Sequence, residues 1–541
     1  MLGISKSAQS GVLLIAIFSI GVEAQTINAV SCNTNDVQKA LNSVSADGTT
    51  VVIPAGNCTW SSSVVYKQVY STTIQGQTSC AGTPASSCID NTVINWTGSG
   101  QALSVATASE KSFRITGMSF NFAGMSAYGA LFFGGNSTAF RFDHSDIYGV
   151  PSGYVPVATD GPTGVMDHLL ISGADNTFFW FSHHSSWKGV GIQGDNSWAQ
   201  PAAWGGPDFM FFEDSTITAT GQNGATGATH GMAAEDCAGG GRTVIRHNIL
   251  NGSSFQDHTT GHAGDDRGCR AMEAYLNTFP AISGVTGMGP GLMEFNVAFV
   301  DSGAHLTWGN TVAANTYSNF ISLHNQRCGP NGGSCGKTYN QTVPPAGWGY
   351  CGTIYGPSAW DQNQTTTNSS GGACLDQVGR GQGDLLQGTF PSKCNLTLNP
   401  SCNVFTGQWP RQAVTPMYVW NNTYSGGTYL DVYEFYVNNA DYFTDQGANC
   451  PQNAATCSTG IGEGTLAQRP ANCVANSFAY PAGNSPGVGW WATDTNTLYV
   501  CTATNTWTAY YTPYTYPHPL QGTAQGTAPV APPTNLLISV R

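Results

Sequence analysis

The stretch Thr229–Phe279 gathers the groups of this chain that can move protons or offset charge. It holds His230, His247, His258 and His262, with Arg242, Arg246, Arg267 and Arg270, and closes on Asp265, Asp266 and Glu273. The whole chain is only 9% charged, with 18 Lys+Arg and 11 His in 541 residues, so this concentration needs a cause. His230 and His262 lie in Gly/Thr-rich segments rather than on apolar strands, and imidazoles titrate near neutrality, so they read as proton carriers. Arg267-Gly-Cys-Arg-Ala-Met-Glu273 puts two guanidinium groups just before a carboxylate. Arg267, Arg270 and Glu273 therefore complete a catalytic set with the two histidines, or else form a structural ion-pair network. Arg246, His305 and Trp308 are the expected ligand-binding residues. Asp265, Asp266 and Glu294 are the expected Ca²⁺ ligands, since clustered carboxylates need a cation, an Arg or a shared proton.

These residues sit within a degenerate repeat of an apolar-x-apolar strand, a polar pair, and Ser or Asn. Copies occur at Phe140–Ile147, Phe181–Ser185, Phe211–Ile217, Val244–Leu250, Ala274–Phe279, Met293–Val297, Tyr317–Ile321 and Val419–Tyr424. Irregular spacing of about 20 to 40 residues suits solenoid coils with loops of variable length. The Ser/Asn position predicts a turn in which a short polar side chain bonds the backbone of neighbouring coils. Alignment on that position places Asp143, His183, Glu213, Arg246 and Tyr275 in one column. Coils stack about 4.8 Å apart, so the column either lines a groove or forms surface ion pairs.

Composition limits the rest. The chain carries a net charge of −13, with 67 Gly and few helix formers, which favours strands and turns and disfavours nucleic acid or anionic membrane as partners. Residues 1–24 read as a secretory signal, with Val12–Ile20 too short to span a bilayer. The 16 Cys all follow it and predict disulfides in an exported, extracellular or periplasmic protein, including Cys473–Cys501. Asp36–Val44 predicts a short amphipathic cap helix within an N-terminal segment 25–45, ahead of coils over 46–425. Residues 325–416 interrupt the repeat as a loop insertion. Residues 426–519 form an aromatic C-terminal module with a hairpin at Val488–Cys501, and 520–541 a tail.

A helix followed by Asp47-Gly-Thr-Thr-Val-Val-Ile-Pro-Ala-Gly56 resembles the entry of secreted bacterial right-handed parallel β-helix proteins of the pectate-lyase-like superfamily. The pieces His230-Gly, Arg246-His-Asn248 and Arg267-Gly-x-Arg-Ala-x-Glu-x-Tyr275 look like those of a largely uncharacterised branch of it. The resemblance implies an all-β solenoid that acts on a polysaccharide, by β-elimination or by hydrolysis. A non-catalytic glycan-binding or cell-surface solenoid is the reading from another class. The chain departs from the polygalacturonase set and from the pectate-lyase arginine motif, so the reaction does not follow from the resemblance.

Overall fold

A computed structural model of the chain describes residues 25–80, 88–151, 154–173, 179–182, 201–219, 233–257, 268–280, 296–313, 317, 319–323, 350–351, 372–373, 378–381, 413–432, 436–476 and 485–522. The expected signal, most of the 325–416 insertion and the tail beyond 522 lie outside them. Among the described residues, no helix is long and apolar enough to cross a membrane.

Short strands, mostly of two to five residues, form three long sheets of twelve, nine and ten strands. Successive strands visit the first, second and third sheet in turn, and every pairing within the three sheets is parallel, as between Ala139–Asp143 and Gly164–Asp167. This is the expected right-handed parallel β-helix. Each coil sends alternate side chains inward, where Phe113, Phe133 and Phe140 pack with ring centroids 4.9 to 6.1 Å apart. The helix Thr34–Asn42 buries Val37, Ala40 and Leu41 at the N-terminal end. Its Gln38 caps the third sheet's edge: the Val65 N–H donates to Oε1 and Nε2 donates to the Val65 carbonyl, both at 2.8 Å.

The Ser/Asn turn position is occupied as expected. The side-chain oxygen of Asn248 accepts from the Ser215 N–H, that of Asn277 from Asn248, that of Asn310 from Asn277, and that of Asn422 from Asn310, all at 3.0–3.1 Å. Their amide nitrogens donate to Phe212, Ile245, Ala274 and Thr307 carbonyls at 2.9–3.1 Å. The residue one step before each rung is left-handed, with φ of 47–57° at His144, His168, Asp214, His247, Leu276 and Asn421.

Three repeat assignments are corrected. Phe181 pairs with Thr159 and Cys237 in the third sheet. Asn296–Val300 and Asn319–Leu323 also belong to the third sheet, so the Met293 and Tyr317 copies are not first-sheet copies. Between Ala139 and Trp420, the missed first-sheet copies are Gly164–Asp167 and Ala304–Trp308. Strands Thr428–Val432 and Tyr442–Thr444 extend the third and first sheets past residue 425. The C-terminal hairpin pairs Gly489–Ala492 with Thr497–Ala503, and Thr506–Tyr511 joins it. Disulfides Cys32–Cys58, Cys237–Cys269, Cys450–Cys457 and Cys473–Cys501 are present among the described residues.

Asn277→Ala strands the Asn248 N–H and the Ile245 carbonyl inside the turn. Each buried group left without a partner costs about 1–3 kcal/mol. Urea denaturation is expected to show a loss of that order, while exposed Thr278→Ala leaves the midpoint nearly unchanged.

Candidate functional site

The polar column is real, with one change of membership. Strand register aligns Asp143, Asp167, Glu213, Arg246, Tyr275, Trp308 and Trp420 along the outer face of the first sheet. Asp167 holds the place expected for His183, which lies outside the described residues. The adjacent outward row is Arg141, Val165, Phe211, Val244, Glu273, Leu306, Tyr418 and Phe443. Residues of both rows pack with Trp490, Trp491, Leu498 and Tyr511 of the C-terminal module into a second hydrophobic core. The face is therefore neither an open groove nor a surface ion-pair strip over this stretch.

Arg246 lies at its centre and is fully buried. It pairs with Glu213, donates to the Tyr275 hydroxyl at 2.9 Å, and donates to the Tyr514 and Thr515 carbonyls at 2.7 and 2.9 Å. Glu213 also accepts the His518 N–H at 2.7 Å. Arg141 reaches the Leu520 carbonyl at 2.9 Å. The segment 514–521 is thus strapped across the column by backbone groups bonded to its charged side chains.

The other expected site residues fall as follows. Glu273 is on the coil next to Arg246 and on the same face, as strand alternation requires, and is fully buried. Its Oε1 accepts the Gly205 N–H at 2.8 Å. Burial pushes its carboxyl up to about 7, with the Gly205 bond acting against the shift. Its stacked neighbours in the row are Val244 and Leu306, so neither is a carboxylate. Trp308 stacks between Tyr275 and Trp420, with centroids 4.6 and 5.8 Å away. His305 points into the coil interior, paired with Asp257 and 3.1 Å from the Ser302 carbonyl. Arg270 is buried at the start of its strand. His230, His262, Asp265, Asp266, Arg267 and Glu294 lie outside the described residues. The flanks of His230, Ala219 and Ala233, are at the junction of the second and third sheets, whereas those of His262, Asp257 and Gly268, join the third to the first.

The accessible chemistry is at a different corner. His144 and His168 occupy successive left-handed positions where the first sheet turns into the second. Their rings stack with centroids 4.7 Å apart and planes 5° apart. Nδ1 of each meets the carboxylate of the preceding residue, Asp143 at 2.7 Å and Asp167 at 2.8 Å. The carboxylates are held in turn by Arg114 and Arg141, each in a two-point grip of 2.6–2.9 Å. About a third of each imidazole side chain is exposed. Burial opposes the His168 imidazolium, but the Asp167 bond and charge outweigh it and hold the group above its usual 6.5. Two residues on from the histidines, Asp146 and Leu170 line a pocket of about 340 Å³ with Tyr148, Ser172, Thr216 and Thr218. Burial, and then the charge of Asp90, push Asp146 up to about 6.

An imidazole whose Nδ1 proton is held by a carboxylate keeps Nε2 free to accept a proton. Asp146, two residues after His144 and with its carboxyl pushed up to about 6, holds a proton to donate below that value. His144, Asp167 and His168 also form the one group among the described residues whose ligand atoms all lie within 4.8 Å. Both carboxylates behind the rings already carry an arginine, which favours oriented bases over a cation site. The sequence signal was the repeated Asp-His of Asp143-His144 and Asp167-His168, one coil apart.

No known protein-family profile matches the chain, and no curated protein matches it. Among solved structures it is similar to ORF18 of Geobacillus virus E2, at 12% identity and TM-score 0.34 over 55% of this chain and 54% of that one. It is also similar to an alginate lyase from Paenibacillus sp. strain FPU-7, at 14% and 0.28 over 55% and 93%. A PL6 family polysaccharide lyase from Pseudopedobacter saltans gives 11% and 0.32 over 55% and 65%. The chain spans about half the length of the first of these and about two thirds of the last. The parallel β-helix assignment rests on the strand pairing above.

Two outcomes follow for the enclosed face. Arg246→Met leaves Glu213 buried without its cation and is expected to cost about 3–5 kcal/mol in denaturant unfolding. Glu273 releases its proton later in the folded chain than at its ordinary 4.5, so the folded state binds more protons between 4.5 and about 7. Stability is therefore lost as pH rises through that window, by on the order of 3 kcal/mol, and is flat above it. The stability difference between Glu273→Gln and the parent is expected to shift in favour of the variant over the same window.

Proposed function

We propose that this chain binds an extended polysaccharide across the outer face of the second sheet and cleaves it by general acid–base chemistry at the histidine corner. The observation that carries this reading is the stacked His144–His168 pair, each ring fixed by a buried carboxylate, two residues before the pocket-lining Asp146 and Leu170 in the chain. His168 takes the proton through Nε2, and Asp146 gives one to the leaving oxygen. Tyr148, Ser172, Thr216 and Thr218 supply the flat and hydroxyl contacts that orient a sugar. The expected set His230, His262, Arg267, Arg270 and Glu273 stays a second proposed centre. It requires the chain to open the C-terminal strap before a ligand reaches Glu273.

Cleavage is read with a panel of polysaccharides, by reducing ends released and by the ultraviolet absorbance of unsaturated uronate ends. Reducing ends without the absorbance mean hydrolysis; both together mean β-elimination. His168→Ala and Asp146→Asn are each expected to lower kcat about 10²-fold or more while the melting temperature holds. His168 must be deprotonated to accept and Asp146 protonated to donate, so the rate is expected to rise with pH as His168 loses its proton and to fall as Asp146 loses its own near 6, a narrow bell of low height because the acid releases its proton below the base. Asp146→Asn removes the alkaline fall. Release of ends that neither variant diminishes overturns the assignment to this corner, and no release from any polymer leaves the non-catalytic solenoid as the reading.

A further inference from the structure

The face that carries the pocket has a one-sided charge. None of the nine strands of the second sheet contains Lys or Arg. Its outward positions near the pocket are Asn95, Ser119, Asn121, Asp146, Tyr148, Leu170, Ser172, Thr216 and Thr218. Among the described residues, the acids here are Asp146, Asp214 at the corner position after His168, which accepts the Tyr516 hydroxyl at 2.6 Å, and, from the neighbouring hairpin, Asp90, which accepts the Thr78 and Ser119 hydroxyls at 2.7 and 3.1 Å. The cations nearest the corner are Arg114 and Arg141, gripped by Asp143 and Asp167, and the His168 imidazolium, which meets the same Asp167 carboxylate. Arg246 is sealed beneath the C-terminal segment.

At the far end of the same strands stands an aromatic pair. The strand Asp146–Val150 leads from the histidine corner toward Tyr154, whose ring lies 6.0 Å from that of Tyr128 at 57°. Tyr128 is 68% exposed. An exposed ring presents a surface for the C–H face of a pyranose, and the hydroxyl and amide groups between suit sugar hydroxyls. Like charges at a binding face cost affinity, so the carboxylates act against a chain that carries one carboxylate per sugar.

We infer that the polysaccharide taken by the second-sheet face is an uncharged one, a neutral hexose or pentose polymer, lying along the strands from the His144–His168 corner to the Tyr128–Tyr154 pair. This rests on the reading of that face as the polysaccharide site. A neutral chain has no carboxylate to acidify its C5 proton, so the matching reaction is hydrolysis. The C1–O bond breaks, the oxygen of water joins C1, the leaving oxygen takes the Asp146 proton, and His168 takes the proton that water gives up.

The test is affinity electrophoresis and calorimetry of the full chain with four probes: a neutral β-glucan, a neutral mannan, polygalacturonate and a chitosan. Each is run at pH 5 and pH 8, in low and physiological salt, with and without chelator. The expected result is binding to a neutral polymer that changes little with salt or chelator, and no binding to polygalacturonate at pH 8. Tyr128→Ala, at an exposed position, is expected to weaken neutral-chain binding by about two- to tenfold with an unchanged melting temperature. Asp146→Asn is expected to raise polygalacturonate affinity at pH 8 relative to the parent. Preference for polygalacturonate, above all if chelator removes it, overturns the uncharged class and leaves the polysaccharide reading standing. Preference for chitosan does the same. Binding to none of the four overturns both.

Discussion

The hydrogen bond from each coil's backbone to a short polar side chain in the next turn sets the geometry of this molecule. Asn248, Asn277, Asn310 and Asn422 each accept a neighbouring N–H and donate to a carbonyl. Backbone groups in a buried turn have no water to bond, so the amide supplies both partners at once. Because the rung repeats at the same place in successive coils from Ser145 to Asn422, with Leu169 the exception, it locks coil register. A slip of one residue would turn every inward phenylalanine outward. Register in turn makes rows, and rows decide which side chains meet. The Asp143-to-Trp420 column, the stacked histidines and the enclosed Glu273 all follow from it.

A chain this poor in charge spends much of what it has inside. Arg246, Glu213, Arg141, Asp167, Arg380 and Asp441 are all buried. Such groups stabilise little relative to apolar residues of the same volume, yet losing one partner is costly. Their arrangement suits specificity of docking. The first-sheet face is apolar over Phe211, Val244, Leu306 and Tyr418 and would accept many apolar surfaces. Arg141, Glu213 and Arg246 accept only a segment whose backbone presents carbonyls and an N–H at the right places, and 514–521 does so.

What the sequence made legible was local. The cap helix, the turn rung, the Glu213–Arg246–Tyr275 order and the Cys473–Cys501 hairpin each depend on residues close in the chain or on a fixed offset. Strands of the first and third sheets share the same two-residue alternation, so Phe181, Met293 and Tyr317 aligned as well as true copies did. Gly164–Asp167 and Ala304–Trp308 escaped notice because the rung after the first is a leucine and Gly309 fills the left-handed position of the second. The covering of the column was illegible for another reason. It joins residues more than 250 positions apart, as Arg246 and Tyr514 are. Nothing in the pattern of either segment names the other. The Asp-His corner was overlooked because each histidine occupies a left-handed turn position, where Asn and Asp are common and chemistry is not the first reading.

The strap also has a place in time. Ribosomes release the chain from its N-terminus, so the coils bearing Phe211, Tyr275, Trp308 and Trp420 are complete well before residues 490–521 emerge. During that interval the first sheet shows a broad aromatic face with Arg246 and Glu213 at its centre and nothing over it. A chain broken off before Trp490 would keep its coil rungs and still carry that bare face, an adhesive surface of the kind that folding helpers and proteases recognise. The segment 490–521 thus covers this face only after the coils beneath it have been made, and its docking ends the interval in which the aromatic face lies open.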